Sequence, residues 1–189
     1  MKKIISLFKR DYEGTRNVYD EVVPGAEWVI AGEGVATRKW DGTCCLIRGG
    51  KMHKRYDRKF DKKSGKHKDA PDGWEAAQGP DENTGHWPGW SPIGDGPEDK
   101  YFREAIDPDL DDGTYELCGP RINGNPEDCA DHILIAHGLL HYLDAPRSFN
   151  ELRDWFTLRD VEGLVWHHPD GRMVKIKKRD FGLRRNVRC

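Results

Sequence analysis

"VEGLVWHHPDGRMVKIKK" (residues 161–178) decides the architecture. Two apolar-rich runs flank Pro169-Asp170-Gly171, a sequence that turns the chain tightly, so the stretch predicts a β-hairpin and an antiparallel sheet. Side chains alternate across a strand, which puts Lys175 and Lys177 on one face and Val174 and Ile176 on the other. Two cations therefore look into one space. Glu162 precedes Gly163, a residue with no side chain to keep another group away from the backbone.

Working outward, "SFNELRDWFTLRD" (148–160) places Ser148 three residues before Glu151, the pattern of a capping box, and predicts a helix from Phe149 to about Phe156. "GTYELCGPRI" (113–122) alternates around Glu116 as a strand. Residues 27–47 are valine-rich and read as strands flanking an Asp41-Gly42 turn, with 28–37 as the first, and 51–60 continue as a basic strand. Residues 61–99 are crowded with Gly, Pro, Asp and Lys and read as a long decorated loop. Its Trp74, Trp87 and Trp90 imply packing on the body or on a ligand. A short helix over 100–106 closes that loop, and "CADHILIAHGLLHYLD" (129–144) reads as buried helix-and-strand material. Strand runs outnumber helices and do not follow βαβ order, so the fold class is α+β with antiparallel sheets.

The chain has 189 residues, the size of one domain, and residues 1–189 read as a single catalytic domain. Charged residues make up 34% and mean hydropathy is -0.86, which reads as a soluble protein with a polar surface and nothing to suggest a membrane. "MKKIISLFKRD" breaks its apolar run at Lys9 and has no small-residue cleavage pattern, so it reads as an ordinary first element. Five cysteines without Cys-x-x-Cys spacing fit a reducing cytoplasm rather than a disulfide framework. Net charge is -2, yet residues 48–68 are strongly basic, and so is the run from Arg172 through Lys175, Lys177, Lys178, Arg179, Arg184, Arg185 and Arg188. Such segments suit a phosphate backbone, or simply two solvated faces.

"TRKWDGTC" (37–44) sets Lys39 between a strand and the Asp41-Gly42 turn. With the polar strand residues Glu116, Glu162, Lys175 and Lys177 it completes one nucleophile, two carboxylates and two further cations. Nucleotidyl transfer to lysine needs such a set. An ordinary lysine has a pKa of about 10.4, and reaching a neutral amine near pH 7 takes about 4 kcal/mol, supplied by neighbouring cations. The same cations bind a triphosphate, and the carboxylates hold a hard metal ion or accept a ribose hydroxyl.

Those residues carry a resemblance. "KWDG" (39–42) resembles motif I (K-x-D-G) of the covalent nucleotidyltransferase superfamily, which comprises ATP-dependent DNA ligases, RNA ligases and mRNA capping enzymes. "YELCG" (115–119) is similar to motif III, "EGLV" (162–165) to motif IV and "VKIK" (174–177) to motif V, in the family's order. "ATRKWDGTC" and "YELCGPRINGNP" look most like small ATP-dependent RNA ligases built on a minimal adenylyltransferase domain. The resemblance implies a nucleotidyltransferase (adenylyltransferase) fold of twisted antiparallel sheets flanked by helices. It implies ATP and Mg2+ or Mn2+ as cofactors, RNA with 5′-phosphate and 3′-hydroxyl ends as partner, and a role in RNA repair. It makes Lys39 the adenylylated nucleophile, Asp41 a catalytic residue orienting the site, and Thr37 a neighbour of the adenine. Glu116 and Glu162 become metal and nucleotide ligands, Lys175 and Lys177 phosphate ligands, and Arg55 the motif Ia arginine.

Two departures stand out. Where many DNA ligases and capping enzymes continue K-x-D-G-x-R, this sequence has Cys44, so Arg48 or Arg55 is expected to supply that contact. Twelve residues follow Lys177, too few in this sequence for a C-terminal OB-fold. No single residue stands out as the base-stacking aromatic: Trp87, Trp90 and Tyr115 are candidates, and each reads first as core or loop packing. Competing readings are a GTP-using capping-type enzyme, an enzyme that transfers AMP to protein or nucleic acid, and a non-catalytic RNA-binding module. Cys129, His132, His137 and His141 mimic a zinc set, but the two pairs do not converge from one regular helix and read as packing residues. His167-His168 reads as a solvated pair, and Cys44-Cys45 as edge and core of a strand.

Overall fold

The computed structural model describes residues 3–82 and 84–185. Met1 and Lys2 of the first element, Arg188 of the second basic run and Cys189 lie outside them. The chain is mixed α/β, mostly sheet with few helices, and divides into two compact units: Met1–Lys3 with Gly42–His137, and Ile4–Asp41 with Gly138–Cys189.

The second unit is built on the hairpin that opens the sequence argument. Gly163–His167 and Met173–Lys177 pair antiparallel, Gly163 opposite Lys177 and His167 opposite Met173. Gly171 at φ +89° closes the turn and donates its N–H to the His168 carbonyl at 2.9 Å. Val35–Lys39 adds on the other side of Gly163–His167, and Ile5–Ser6 pairs with Met173–Lys177 in parallel, so the four-stranded sheet is antiparallel except at that edge. Ala36, Leu164, Trp166, Val174 and Ile176 form its buried apolar face. Helix Phe149–Thr157 adds Leu152, Trp155 and Phe156 to the same core, the i, i+3, i+4 stripe of an amphipathic helix. Ser148 does stand at the N-cap, but its hydroxyl donates to the Glu151 carboxylate at 2.5 Å rather than accepting a backbone N–H.

The first strand begins later than the valine pattern suggests. Glu27–Ile30 is a short helix that buries Trp28 and Val29, and the strand proper is Val35–Lys39. Gly34 forces the break. At φ +69°, a Cβ there would lie 2.5 Å from the Trp28 ring and 2.8 Å from the His167 carbonyl oxygen. Nor do the strands flanking Asp41-Gly42 pair with each other. Val35–Lys39 pairs with Gly163–His167, whereas Thr43–Arg48 pairs with Gly113–Cys118 and Lys51–Arg58.

The first unit is a six-stranded antiparallel sheet in the order Ile133–Ala136, Gly113–Cys118, Thr43–Arg48, Lys51–Arg58, Trp87–Pro92, Glu75–Ala76. Its core gathers Cys45, Ile47, Met52, Phe102, Tyr115, Leu117 and Ile122. Residues 61–99 are more ordered than a decorated loop. Trp87–Pro92 pairs along the whole of His53 to Arg58, despite two prolines. Gly89 makes this feasible, because a Cβ there would lie 2.2 Å from the Trp74 indole packed on it. The predicted helix over 100–106 is Lys100–Glu104. Residues 129–144 hold one strand, Ile133–Ala136, and are largely uncovered beyond it, with Leu139 74% and Leu143 88% exposed, so the buried reading of this stretch fails. Among the described residues no helix is long and apolar enough to cross a membrane.

Candidate active site

The polar face of the second unit's sheet follows from its register. Lys39 and Lys177 both lie opposite Gly163, and Thr37 and Lys175 both lie opposite Val165. Residues directly opposite share a face, so the sheet presents two rows on this side: Lys39, Gly163, Lys177, and Thr37, Val165, Lys175. The middle position of the first row has no side chain. A Cβ at Gly163 would lie 2.3 Å from the Ile176 carbonyl oxygen and 3.0 Å from Lys177 Cα, so the close group is the neighbouring strand itself.

Glu162 spans the row. Lys39 Nζ donates to its Oε2 at 2.5 Å and Lys177 Nζ to its Oε1 at 2.5 Å, with the three side chains 20%, 16% and 10% exposed for Lys39, Lys177 and Glu162. Burial by itself pushes the Glu162 carboxyl up. The charges of Lys39 and Lys177 and their hydrogen bonds outweigh burial and hold it below the usual carboxylate range. Lys175, in the adjacent row, has no such partner among the described residues. Burial first, and then the like charges of Lys177 and Lys39, push its ammonium down to about 8 against the weaker pull of Glu162 and Asp180. One carboxylate thus serves two of three clustered cations, and the third is held in a state that an arriving anion would relieve.

Thr37 is 2% exposed; its hydroxyl donates to the Val165 carbonyl at 3.1 Å and lies 3.1 Å from His167 Nε2. His167 is therefore a member of this face and not half of a solvated pair. His168 packs its ring edge-on against Trp28 at 5.1 Å and pairs with Glu33 and Asp170. Asp41 sits 3.7 Å from Arg185, which also reaches Asp160.

Glu116 belongs to the first unit. It is 7% exposed, accepts the Gly42 N–H at 3.1 Å and lies 2.9 Å from His137 Nε2. Gly42 is required at this point: a Cβ would lie 2.1 Å from the Leu117 carbonyl oxygen. Arg55 bonds Asp57 at 2.7 Å and lies over the Trp90 ring, while Arg48 pairs with the exposed Glu75. Trp90 and Tyr115 are core residues, 4% and 5% exposed, so neither is available to stack on a base. Trp87 is half-buried among Trp74, His67 and Arg58.

The histidine-cysteine set read as packing is indeed dispersed. His132 stacks on Tyr101 and pairs with Glu104, Cys129 bonds Asn125, and His141 reaches the Gly138 carbonyl. His137 meets Glu116 instead, a pairing with no local sequence signal because 21 residues separate them.

A family model described as RNA ligase 1 matches residues 105–188, the part of the chain that includes Glu116, Glu162, Lys175 and Lys177. Proteins named RNA ligase 1 from Danio rerio and Mus musculus are each 29% identical to this chain, over 79% of it and 67% of their own length. A Rattus norvegicus protein of the same name is 28% identical over the same shares.

Proposed function

From a chain that is a relative of RNA ligases, we propose an ATP-dependent RNA ligase that works through a covalent lysyl-AMP and serves RNA repair. The observation that carries this reading is the single Glu162 carboxylate bridging Lys39 and Lys177, with Lys175 on the same face of the sheet. In this reading residues 1–189 act as one adenylyltransferase domain of nucleotidyltransferase fold.

Lys39 Nζ leaves Glu162, gives up a proton and attacks the α-phosphorus of ATP. The N–P bond forms as the bond from the α-phosphorus to the bridging oxygen breaks, and pyrophosphate departs with the electron pair. Lys175 and Lys177 take the phosphate charge, and Glu162 keeps Lys39 aimed until the nucleotide displaces it. Thr37 sits in the neighbouring row and His167 one row beyond it on the same face, where a hydroxyl and an imidazole suit a purine edge. Asp41, beside Arg185, orients the turn that follows the nucleophile. AMP then passes from Lys39 to an RNA 5′-phosphate, and a 3′-hydroxyl displaces it to seal the strand. Basic side chains of 48–68, Arg55 among them, and of 172–185 offer contacts for RNA phosphates.

Glu162 suits Mg2+ or Mn2+ by donor type: it is an ionised carboxylate whose oxygens already carry positive partners, and a hard cation replaces one in kind. Such an ion would neutralise charge on the reacting phosphates. Glu116 has the same donor type and would accept a ribose hydroxyl or hold an ion through water.

The test is incubation with α-labelled ATP or GTP and a divalent cation. Label that survives denaturation, is acid-labile, comes from ATP and disappears in Lys39→Ala is the expected result, followed by joining of 5′-phosphate RNA. No covalent label from either nucleotide overturns the reading.

A further inference from the structure

Cys44, Glu116 and His137 bring a thiol, a carboxylate oxygen and an imidazole nitrogen within 4.8 Å of one another, all inside the first unit. The sheet builds the set. Cys44 is directly opposite Glu116 across one strand pair, and Ile135 is directly opposite Glu116 across the other. His137, two residues past Ile135, returns to the same face, and its N–H donates to the Thr114 carbonyl at 3.1 Å. Three ligand types thus come to one side from two paired strands and from the residue that follows a third.

We propose that these residues form a binding site for a borderline-soft divalent transition metal, with zinc as the reference ion. A thiolate and an imidazole beside one carboxylate match zinc and its neighbours rather than Mg2+ or Ca2+, which take oxygen. Zinc bonds of about 2.0–2.3 Å put tetrahedral ligands roughly 3.3–3.8 Å apart. The triad stands close to that geometry, with its ligand atoms within 4.8 Å of one another and the His137–Glu116 contact of 2.9 Å having only to open slightly. Three protein ligands leave a fourth position for water or another donor, the open arrangement. Glu116 is steadied for this role by the Gly42 N–H on its other oxygen.

Glu116 is shared with the ligase reading, but the test separates the two because it uses protein and metal alone, without nucleotide or RNA. The reduced protein is titrated with Co2+ and then with Zn2+. One equivalent of Co2+ should give a thiolate-to-cobalt charge-transfer band and tetrahedral visible bands, both bleached by one equivalent of Zn2+. Cys44→Ser should abolish the charge-transfer band, and His137→Gln and Glu116→Gln should each weaken binding beyond the roughly 10–100-fold that losing an outer partner costs. Cys129→Ser should retain both the band and the affinity. Lack of a charge-transfer band in the wild type, or a band that persists in Cys44→Ser or vanishes in Cys129→Ser, overturns the site.

Discussion

Replacing Lys175 by methionine keeps most of the side chain's apolar length and deletes its charge. In the folded protein this ammonium is held at about 8 against an ordinary 10.5. Below pH 8 folding must therefore carry a charge that the site disfavours, at a cost on the order of 3 kcal/mol. The sign follows from proton counts. Between pH 8 and 10.5 the unfolded chain binds more of this proton than the folded one, so wild-type stability rises with pH across that window. Lys175→Met lacks this dependence. It is expected to be more stable than wild type at pH 7 by up to about 3 kcal/mol, with the gap narrowing toward the simple packing difference by pH 10.5. Urea denaturation of both proteins at pH 7, 9 and 10.5 measures it, with closely matching m-values as the check that only stability changed. The same variant should form less covalent adenylate, because the destabilising charge is the one proposed to meet phosphate. A variant that is less stable than wild type at pH 7, or a gap that stays constant across the window, refutes the reasoning.

Glu162→Gln leaves Lys39 and Lys177 clustered without their carboxylate and is expected to cost about 3–5 kcal/mol at pH 7 in urea denaturation. Because the Glu162 carboxyl is held below its ordinary 4.5, its contribution is fully present above pH 4.5 and fades as pH falls through the lowered value, a dependence the glutamine variant should lack. Gly163→Ala drives a Cβ to 2.3 Å from the Ile176 carbonyl oxygen, so the strands must part. A loss of about 1–3 kcal/mol is expected, and an unchanged thermal midpoint would contradict the close approach. Thr37→Val removes the donor to the Val165 carbonyl and the partner of His167 Nε2; about 1–2 kcal/mol should be lost in urea denaturation.

The hairpin of residues 161–178 was legible because period-2 alternation and a Pro-Asp-Gly turn are local signals, and the structure pairs it in that register. Helix Phe149–Thr157 was legible for the same reason, its apolar stripe and N-terminal serine lying within a dozen residues. The helix Glu27–Ile30 was not, since one turn is too short to show a period and valines favour a strand reading. Trp87–Pro92 was hidden by its prolines and glycine, whose place in a strand depends on Trp74 packing against Gly89.

What the sequence by itself determined is which residues share a face: alternation along each strand puts Lys175 with Lys177 and Thr37 with Lys39 whatever lies beside them. The tertiary structure alone decided how strands are set side by side. Register across strand pairs is a non-local choice, fixed by burial of Leu164, Trp166, Val174 and Ile176 together. That choice brings Lys39 and Lys177 to either side of Gly163 so that one Glu162 can hold both, and it sets Cys44 and His137 beside Glu116 across separations no local pattern encodes.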